Sequence, residues 1–311
     1  MNPKFEIYEG YGQDGSIIFK ASTTCYRSED KTQRNANDFI KMLKVNKHMS
    51  MLEFSWFVFA INVNTKDEHG IRLSQRCDIL HDIYSELITQ KYLHIDPLWS
   101  AEKIIVSGNG RALIEVLENF EFFPVLYYEM YKYLNHLNPV LFDQFITLEN
   151  FSCDYNAKQI YVTEVDELST YISEYNKRHN WVAVKFFDVS RGFTHELVRH
   201  RTMSFAQAST RYIDNSNFSF VFPEEELKKY PTLEGDIEKI KRMYSFYLKC
   251  GMKKDLARQL LPIGIANEIC VAGRIKDWEH IFSLRCSPSA HWEIREMMTA
   301  LNAEFHIRGL I

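Results

Sequence analysis

The 311-residue sequence has no run of about twenty apolar residues, the length that a helix needs to span a bilayer. Its opening, MNPKFEIYEGYGQDG, also lacks a basic stretch followed by an apolar one, the pattern of a secretory signal. These absences predict a cytoplasmic protein with no membrane partner. No C-x-x-C pair occurs among Cys25, Cys77, Cys153, Cys250, Cys270 and Cys286, so neither a zinc site nor a disulfide framework is suggested. The cysteines are expected to be reduced thiols in or near a core. A basic excess is missing too: net charge is −4, which argues against a nucleic-acid polymer as partner, because neutralising many phosphates needs many cations. A small anionic ligand needs only a local arginine cluster. Repeats, low-complexity tracts and Pro/Gly/Ser linkers are absent as well, so the chain reads as one intertwined domain with a large insertion.

What is present suffices for a full core, since 46% of the residues are hydrophobic and a chain of this length forms two domains or one large one. Residues 5–8 and 16–21 read as short strands around the turn-rich YGQDG, and 36–47 as a helix with Phe39, Met42 and Leu43 on one face. LEFSWFVFAI at 52–61 is apolar on both alternating faces and predicts a strand buried on both sides. Residues 63–180 read as mainly helical, as in ALIEVLENF at 112–120 and VLYYEMYKYL at 125–134, with one strand, KQIYVTEV, at 158–165. VAVKFFDV at 182–189 predicts another strand. Ser190 is placed to cap a helix running through HELVRHR. After a loop at 213–232 the pattern predicts helices at 234–250, 254–272 and 274–284, and a last one after Pro288.

The densest polar signal is RHRTMSFAQASTRY at 199–212, with three arginines, a histidine, and a set of hydroxyls directly after an apolar helix face. Arginine offers a planar fork of donors that matches phosphate oxygens, and hydroxyls and main-chain N–H groups can complete an anion cradle. A basic, solvated helix end reads from the same residues, because the helix dipole favours arginine there. His195, Glu196 and His200 superficially resemble the H-E-x-x-H zinc motif. Their spacing differs: histidines five apart lie roughly 140° apart around a helix and share no face.

Residues 199–212 resemble the signature of the flavin-dependent thymidylate synthases, R-H-R followed by two spaced serines and R-Y. Arg199, His200, Arg201, Ser204, Gln207, Ser209, Arg211 and Tyr212 fall in register, and SRGFTHELV resembles that family's lead-in. His48, Ser50 and Glu53 resemble its H-x-S/T-x-x-E-H element, with Phe54 in place of the last histidine. LARQLLP at 256–262, WEHIFSLR at 278–285 and HWEIR at 291–295 resemble its C-terminal half. The likeness covers residues 36–62 and 181–300.

The resemblance implies an α+β fold of helices around a central sheet, with a mainly helical insertion. Residues 1–62 would be the N-terminal part of the catalytic domain, 63–180 an insertion of unassigned role, and 181–311 the part carrying the R-H-R signature. It implies a homotetramer with shared active sites that makes dTMP from dUMP, using FAD, NADPH and 5,10-methylene-tetrahydrofolate. Glu196, Arg199, Gln207, Ser209, Arg211, Arg258 and Arg285 would meet dUMP. His48, Ser50, Arg199, His200, Arg201, Gln207, Lys276 and His280 would meet FAD. Arg285 is the implied catalytic residue, a cation that stabilises negative charge as the uracil is activated. In this chain Arg274-Ile275-Lys276 stands where the family commonly has N-x-R; SGNGRAL at 107–113 offers an N-x-R, although a glycine-containing turn before a helix also explains it. Ser289 stands where a histidine is often seen, with His291 two residues on. A hydroxymethyl transfer to dUMP, or a catalytically silent flavin- or nucleotide-binding relative, are the alternative readings.

Overall fold

In the computed structural model the described residues are 4–8, 10–26, 35–64, 76–119, 124–143, 160–165, 177–211, 213 and 215–311. Tyr212, Cys153 and residues 158 and 159 of the KQIYVTEV strand lie outside them. In chain order the elements are β1 (Phe5–Tyr8), α1 (Ser16–Tyr26), α2 (Ala36–Val45), β2 (Trp56–Val63), α3 (Arg76–Leu87), β3 (Leu93–Leu98), β4 (Lys103–Asn109), α4 (Gly110–Asn119), α5 (Pro124–Leu137), α6 (Pro139–Phe142) and β5 (Ile160–Thr163). There follow β6 (Trp181–Ser190), α7 (Arg191–Leu197), β7 (Ser204–Gln207), α8 (Glu224–Lys229), α9 (Leu233–Lys249), α10 (Lys254–Ala257), β8 (Ala266–Arg274), α11 (Ile275–Arg285) and α12 (Trp292–Ile307). The fold is α+β. No helix among the described residues is long and apolar enough to cross a membrane.

The chain forms two compact units, one of residues 1–9, 20–33 and 182–311 and the other of residues 10–19 and 34–181. In the first, the sheet has the order β1-β6-β8-β7, with β7 antiparallel to β8 and Ser204 opposite Ala272. β6 is the buried centre. Val182, Val184 and Phe186 face Trp278, Phe282, Met298 and Phe305 in one apolar cluster, and the Trp278 indole N–H donates to the Val182 carbonyl at 3.1 Å. That bond satisfies the one polar atom of a fully buried tryptophan. In the second unit the order is β3-β4-β2-β5, antiparallel throughout. All eight residues of β2 are buried, which agrees with a strand covered on both faces. The segment expected to be mainly helical therefore also carries three strands of this sheet.

Several local expectations are corrected. Residues 16–21 form the start of helix α1 and not a strand. Asp14 Oδ1 accepts from the Ser16 N–H at 3.0 Å, and Ile17, Ile18, Ala21 and Ser22 are buried at helical spacing. The turn-rich YGQDG suggested a strand on either side, whereas its second flank is helical. The predicted helix at 254–272 breaks after α10 and one turn of 3-10 helix at Arg258–Leu260. Pro262 disfavours helix at Leu261, which is extended at φ −81° and ψ 123°, and the chain continues as β8. The last helix starts at Trp292 and not at Pro288. Inside the 213–232 loop lies the short helix α8.

Helix α7 stops at Leu197 and does not run through Arg201. Its cap is as expected, with Ser190 Oγ accepting from the Phe193 N–H at 2.9 Å. Past Leu197 the chain turns so that Met203 settles on β8 at Gly273, where an added Cβ would lie 2.1 Å from the Met203 sulfur. Only glycine allows that approach. Among the cysteines, Cys270 is buried and Cys25 and Cys286 are half-buried, whereas Cys250 is exposed at the end of α9; all four are free thiols.

Candidate active site

The first unit gathers its polar residues where α7 ends and α11 ends. Arg285, the last residue of α11, reaches the last turn of α7 with its whole guanidinium. Its Nε donates to His200 Nε2 at 3.0 Å, Nη1 to Glu196 Oε2 at 2.6 Å, and Nη2 to the Glu196 main-chain carbonyl at 3.0 Å. Two helix C-termini, each with partial negative charge, thus surround one cation. Glu196 and Arg285 are both partly buried, so solvent screens their pairing less than at an open surface.

His200 is buried. Because Arg285 can only donate, Nε2 of His200 must be the bare, accepting nitrogen and Nδ1 carries the proton. Burial pushes its pKa from 6.5 to about 4, and the charge of Arg285 and the neighbouring His280 push the same way. The ring is neutral at physiological pH. His280 on α11 stands with its ring centroid 6.3 Å away, nearly perpendicular. Arg199 and Arg201, on either side of His200, have exposed side chains, as do Lys276 and His280 on α11. None of these three cations forms an ion pair among the described residues.

The strand after this turn places Gln207, whose amide donates to Thr194 Oγ1 at 2.7 Å; that hydroxyl in turn donates to the Arg191 carbonyl at 3.0 Å. Gln207 is thereby fixed on the inner side of α7. Ser209 is held by its main chain, its N–H donating to the Cys25 carbonyl at 2.9 Å, and its hydroxyl accepts from the Arg211 N–H at 3.3 Å. Arg211 is exposed. Arg258 stands in the 3-10 turn after α10, close enough to Arg191 that its charge adds to burial in lowering the Arg191 pKa.

His48 and Ser50 lie exposed in the second unit, at the start of a 3-10 helix spanning Met49–Phe54. Phe54 is fully buried and serves that unit's core. Arg111 of the N-x-R segment is bound to Glu53 at 3.0 Å and Glu115 at 2.7 Å, and Asn109 caps α4 by accepting from the Ala112 N–H. The segment is the end of strand β4 passing directly into α4, with no turn between them. Arg274 grips Asp277 at 2.7 and 3.0 Å, which commits its fork to the first turn of α11. Ser289 pairs with Ser287 at 2.9 Å.

Sequence reasoning missed Arg191, Thr194 and Glu293. Glu293 is buried, accepts from the Ser190 N–H at 2.7 Å and from the Ser190 hydroxyl, and so ties α12 to the cap of α7. The available signal was Ser190 itself, a cap whose hydroxyl can also donate. Among the described residues no group of His, Cys, Asp and Glu is arranged to hold a metal ion; Glu196 and His200 of the zinc-like triplet are both committed to Arg285.

The α+β unit thus holds one immobilised arginine near the exposed Arg199 and Arg201, which form no ion pair among the described residues. Residues 177–307 match the family described as thymidylate synthase complementing protein. The flavin-dependent thymidylate synthase of Pyrococcus abyssi is 36% identical over 115 residues, 35% of this chain and 47% of that protein. That of Saccharolobus solfataricus is 29% identical over 152 residues, 46% of this chain and 57% of that protein. The chain thus spans about half the length of the curated relatives it matches. A crystal structure of thymidylate synthase X from Helicobacter pylori with FAD and dUMP covers 39% of this chain and 65% of its own at 21% identity, with a TM-score of 0.33. That likeness is too slight to bear on the fold.

Proposed function

We propose that the protein is a flavin-dependent thymidylate synthase that converts dUMP to dTMP with methylene-tetrahydrofolate as carbon source and NADPH as reductant. The observation that carries this is Arg285, held at three points by Glu196 and His200 at the edge of the R-H-R turn. A cation fixed before the ligand arrives stabilises charge that develops on a uracil ring without reorganising during the reaction. The name of the relatives, flavin-dependent thymidylate synthase, supports methyl transfer over hydroxymethyl transfer and over a silent binding protein.

FAD suits the donor set. Arg199, Arg201 and Lys276 are cations with no ion pair among the described residues, as binding of an anionic diphosphate requires, and the neutral ring of His200 lies between the two arginines in sequence. Gln207 would serve both ligands. For His48 and Ser50 the support is the sequence resemblance. Bound flavin would supply the redox chemistry of the transfer. The chain's own residues bind and orient: Ser209, Arg211 and Arg258 would hold the dUMP phosphate end, and Arg199 and Arg285 the base. Glu196 borders the same subsite through its grip on Arg285. The three-part division at residues 62 and 180, a homotetramer and a cytoplasmic location belong to the same proposal. Exposed Met243, Phe246 and Leu256 give apolar surface for self-association.

The test is purification followed by assay. A yellow protein that releases FAD on denaturation, and forms dTMP from dUMP, methylene-tetrahydrofolate and NADPH, is the expected result. A colourless protein that takes up no flavin from excess FAD would sink the proposal. Light scattering tests the tetramer, and an active monomer would refute shared sites alone.

A further inference from the structure

Arg285 has five N–H donors, and three of them are used inside the protein: one by His200 and two by Glu196. Two remain, one on each terminal nitrogen, to meet a ligand. Glu196 alone supplies both the carboxylate and the main-chain carbonyl that fix those two nitrogens, so it determines the direction in which the free donors point. Its charge also matters. A carboxylate 2.6 Å from Nη1 partly neutralises Arg285 before any ligand binds, and therefore restrains the attraction of the arginine for an anion in the ground state.

Resting on the thymidylate synthase reading, we infer that Glu196 is the positioning residue of Arg285, which acts on the uracil ring through the arginine and not by touching the nucleotide. The acceptor geometry sets kcat and the charge sets nucleotide affinity. These two effects separate in substitution. Glu196→Gln keeps an acceptor oxygen and the main-chain carbonyl but removes the charge, while Glu196→Ala removes both side-chain properties.

The experiment measures dTMP formation across a dUMP titration for wild type and both variants, together with phenylglyoxal labelling of residue 285 followed by peptide mass spectrometry. Glu196→Ala is expected to lower kcat about 10- to 100-fold, the usual cost of a misplaced catalytic group, and, having lost the same charge, to bind dUMP no more weakly than wild type. Glu196→Gln should recover kcat to within a few-fold of wild type and bind dUMP more tightly. Labelling of Arg285 should be faster in Glu196→Ala than in wild type, with Glu196→Gln between them. Normal kcat in Glu196→Ala, equal loss in both variants, or weaker dUMP binding in Glu196→Gln would each overturn the inference. If Glu196→Ala does not fold, the KM and kcat of Glu196→Gln decide alone. A flavin-free wild type without turnover would refute the functional reading instead, and the labelling rates would then still decide whether Glu196 holds Arg285.

Discussion

Acidification should weaken the folded state through His200. In the unfolded chain this histidine takes a proton near its ordinary 6.5, whereas in the folded protein its pKa is about 4. Below pH 6.5 the unfolded chain therefore binds a proton that the folded chain refuses. The stability this residue contributes is fully present above 6.5 and is lost progressively as pH falls toward 4. The gap between 6.5 and about 4, at about 1.4 kcal/mol per pH unit, sets a ceiling of about 3.5 kcal/mol, and residual solvent access to the ring brings the expected loss to about 2 kcal/mol. The physical cause is specific. A protonated His200 would lose the lone pair that accepts from Arg285 Nε and would place a second cation 3.0 Å from it. The assay is urea unfolding at pH 7.5, 6.0, 5.0 and 4.5 for wild type and His200→Gln. Glutamine can accept from Arg285 but does not titrate, and every other acid and base is common to the two proteins. Wild type should lose about 2 kcal/mol more than the variant across this range. Parallel stability curves would refute the buried, neutral histidine.

At the active site, Arg285→Ala should lower kcat on the order of 10²–10³, while Arg211→Ala should mainly raise KM for dUMP; steady-state kinetics with flavin content checked first would reveal a reversal of these roles. Gly273→Ala should cost about 1–3 kcal/mol by forcing Met203 off β8, and an unchanged denaturation midpoint would show that the turn after α7 can yield. Glu293 has its pKa raised above 4.5 by burial, so its contribution is full below 4.5 and is lost as pH rises through the folded value. Glu293→Gln should thus be at least as stable as wild type at pH 8, with the advantage shrinking toward pH 4; a less stable variant at pH 8 would contradict this.

Where hydrophobic period and caps agreed, the sequence was readable. α2, α9 and α11 lie within a residue or two of their expected spans, and Ser190 caps α7 as its position indicated. The failures share a cause. In 16–21 and 254–272 the local residue types pointed one way while a side-chain cap or Pro262 decided the other, and β8 exists because β6 and β7 flank it, which no local window contains. The motif after α7 looked like a helix end because its arginines suit one, yet Met203 needs Gly273 seventy residues later. The site showed the same limit. Arg285 and the residues of 199–211 could be named from sequence, but the Glu196–Arg285 pair is 89 residues apart and only the fold brings the two together.

The short helix α7 is held at both ends by groups whose pH responses have opposite sign. At its start Glu293 meets Ser190 from α12, and protonation of that carboxyl favours the fold; at its end Arg285 meets Glu196 and His200 from α11, and protonation of the imidazole opposes it. A seven-residue helix is too short to be stable by its own hydrogen bonds, so its position depends on these two attachments and on buried Phe193 and Leu197. Because Glu196 is in its last turn, any movement of α7 along its axis would shift the free donors of Arg285 by the same amount. The buried Glu293 contact, remote from the arginine, therefore helps fix the direction of the Arg285 guanidinium, and rigidity at the cap becomes precision at the other end of one helical element.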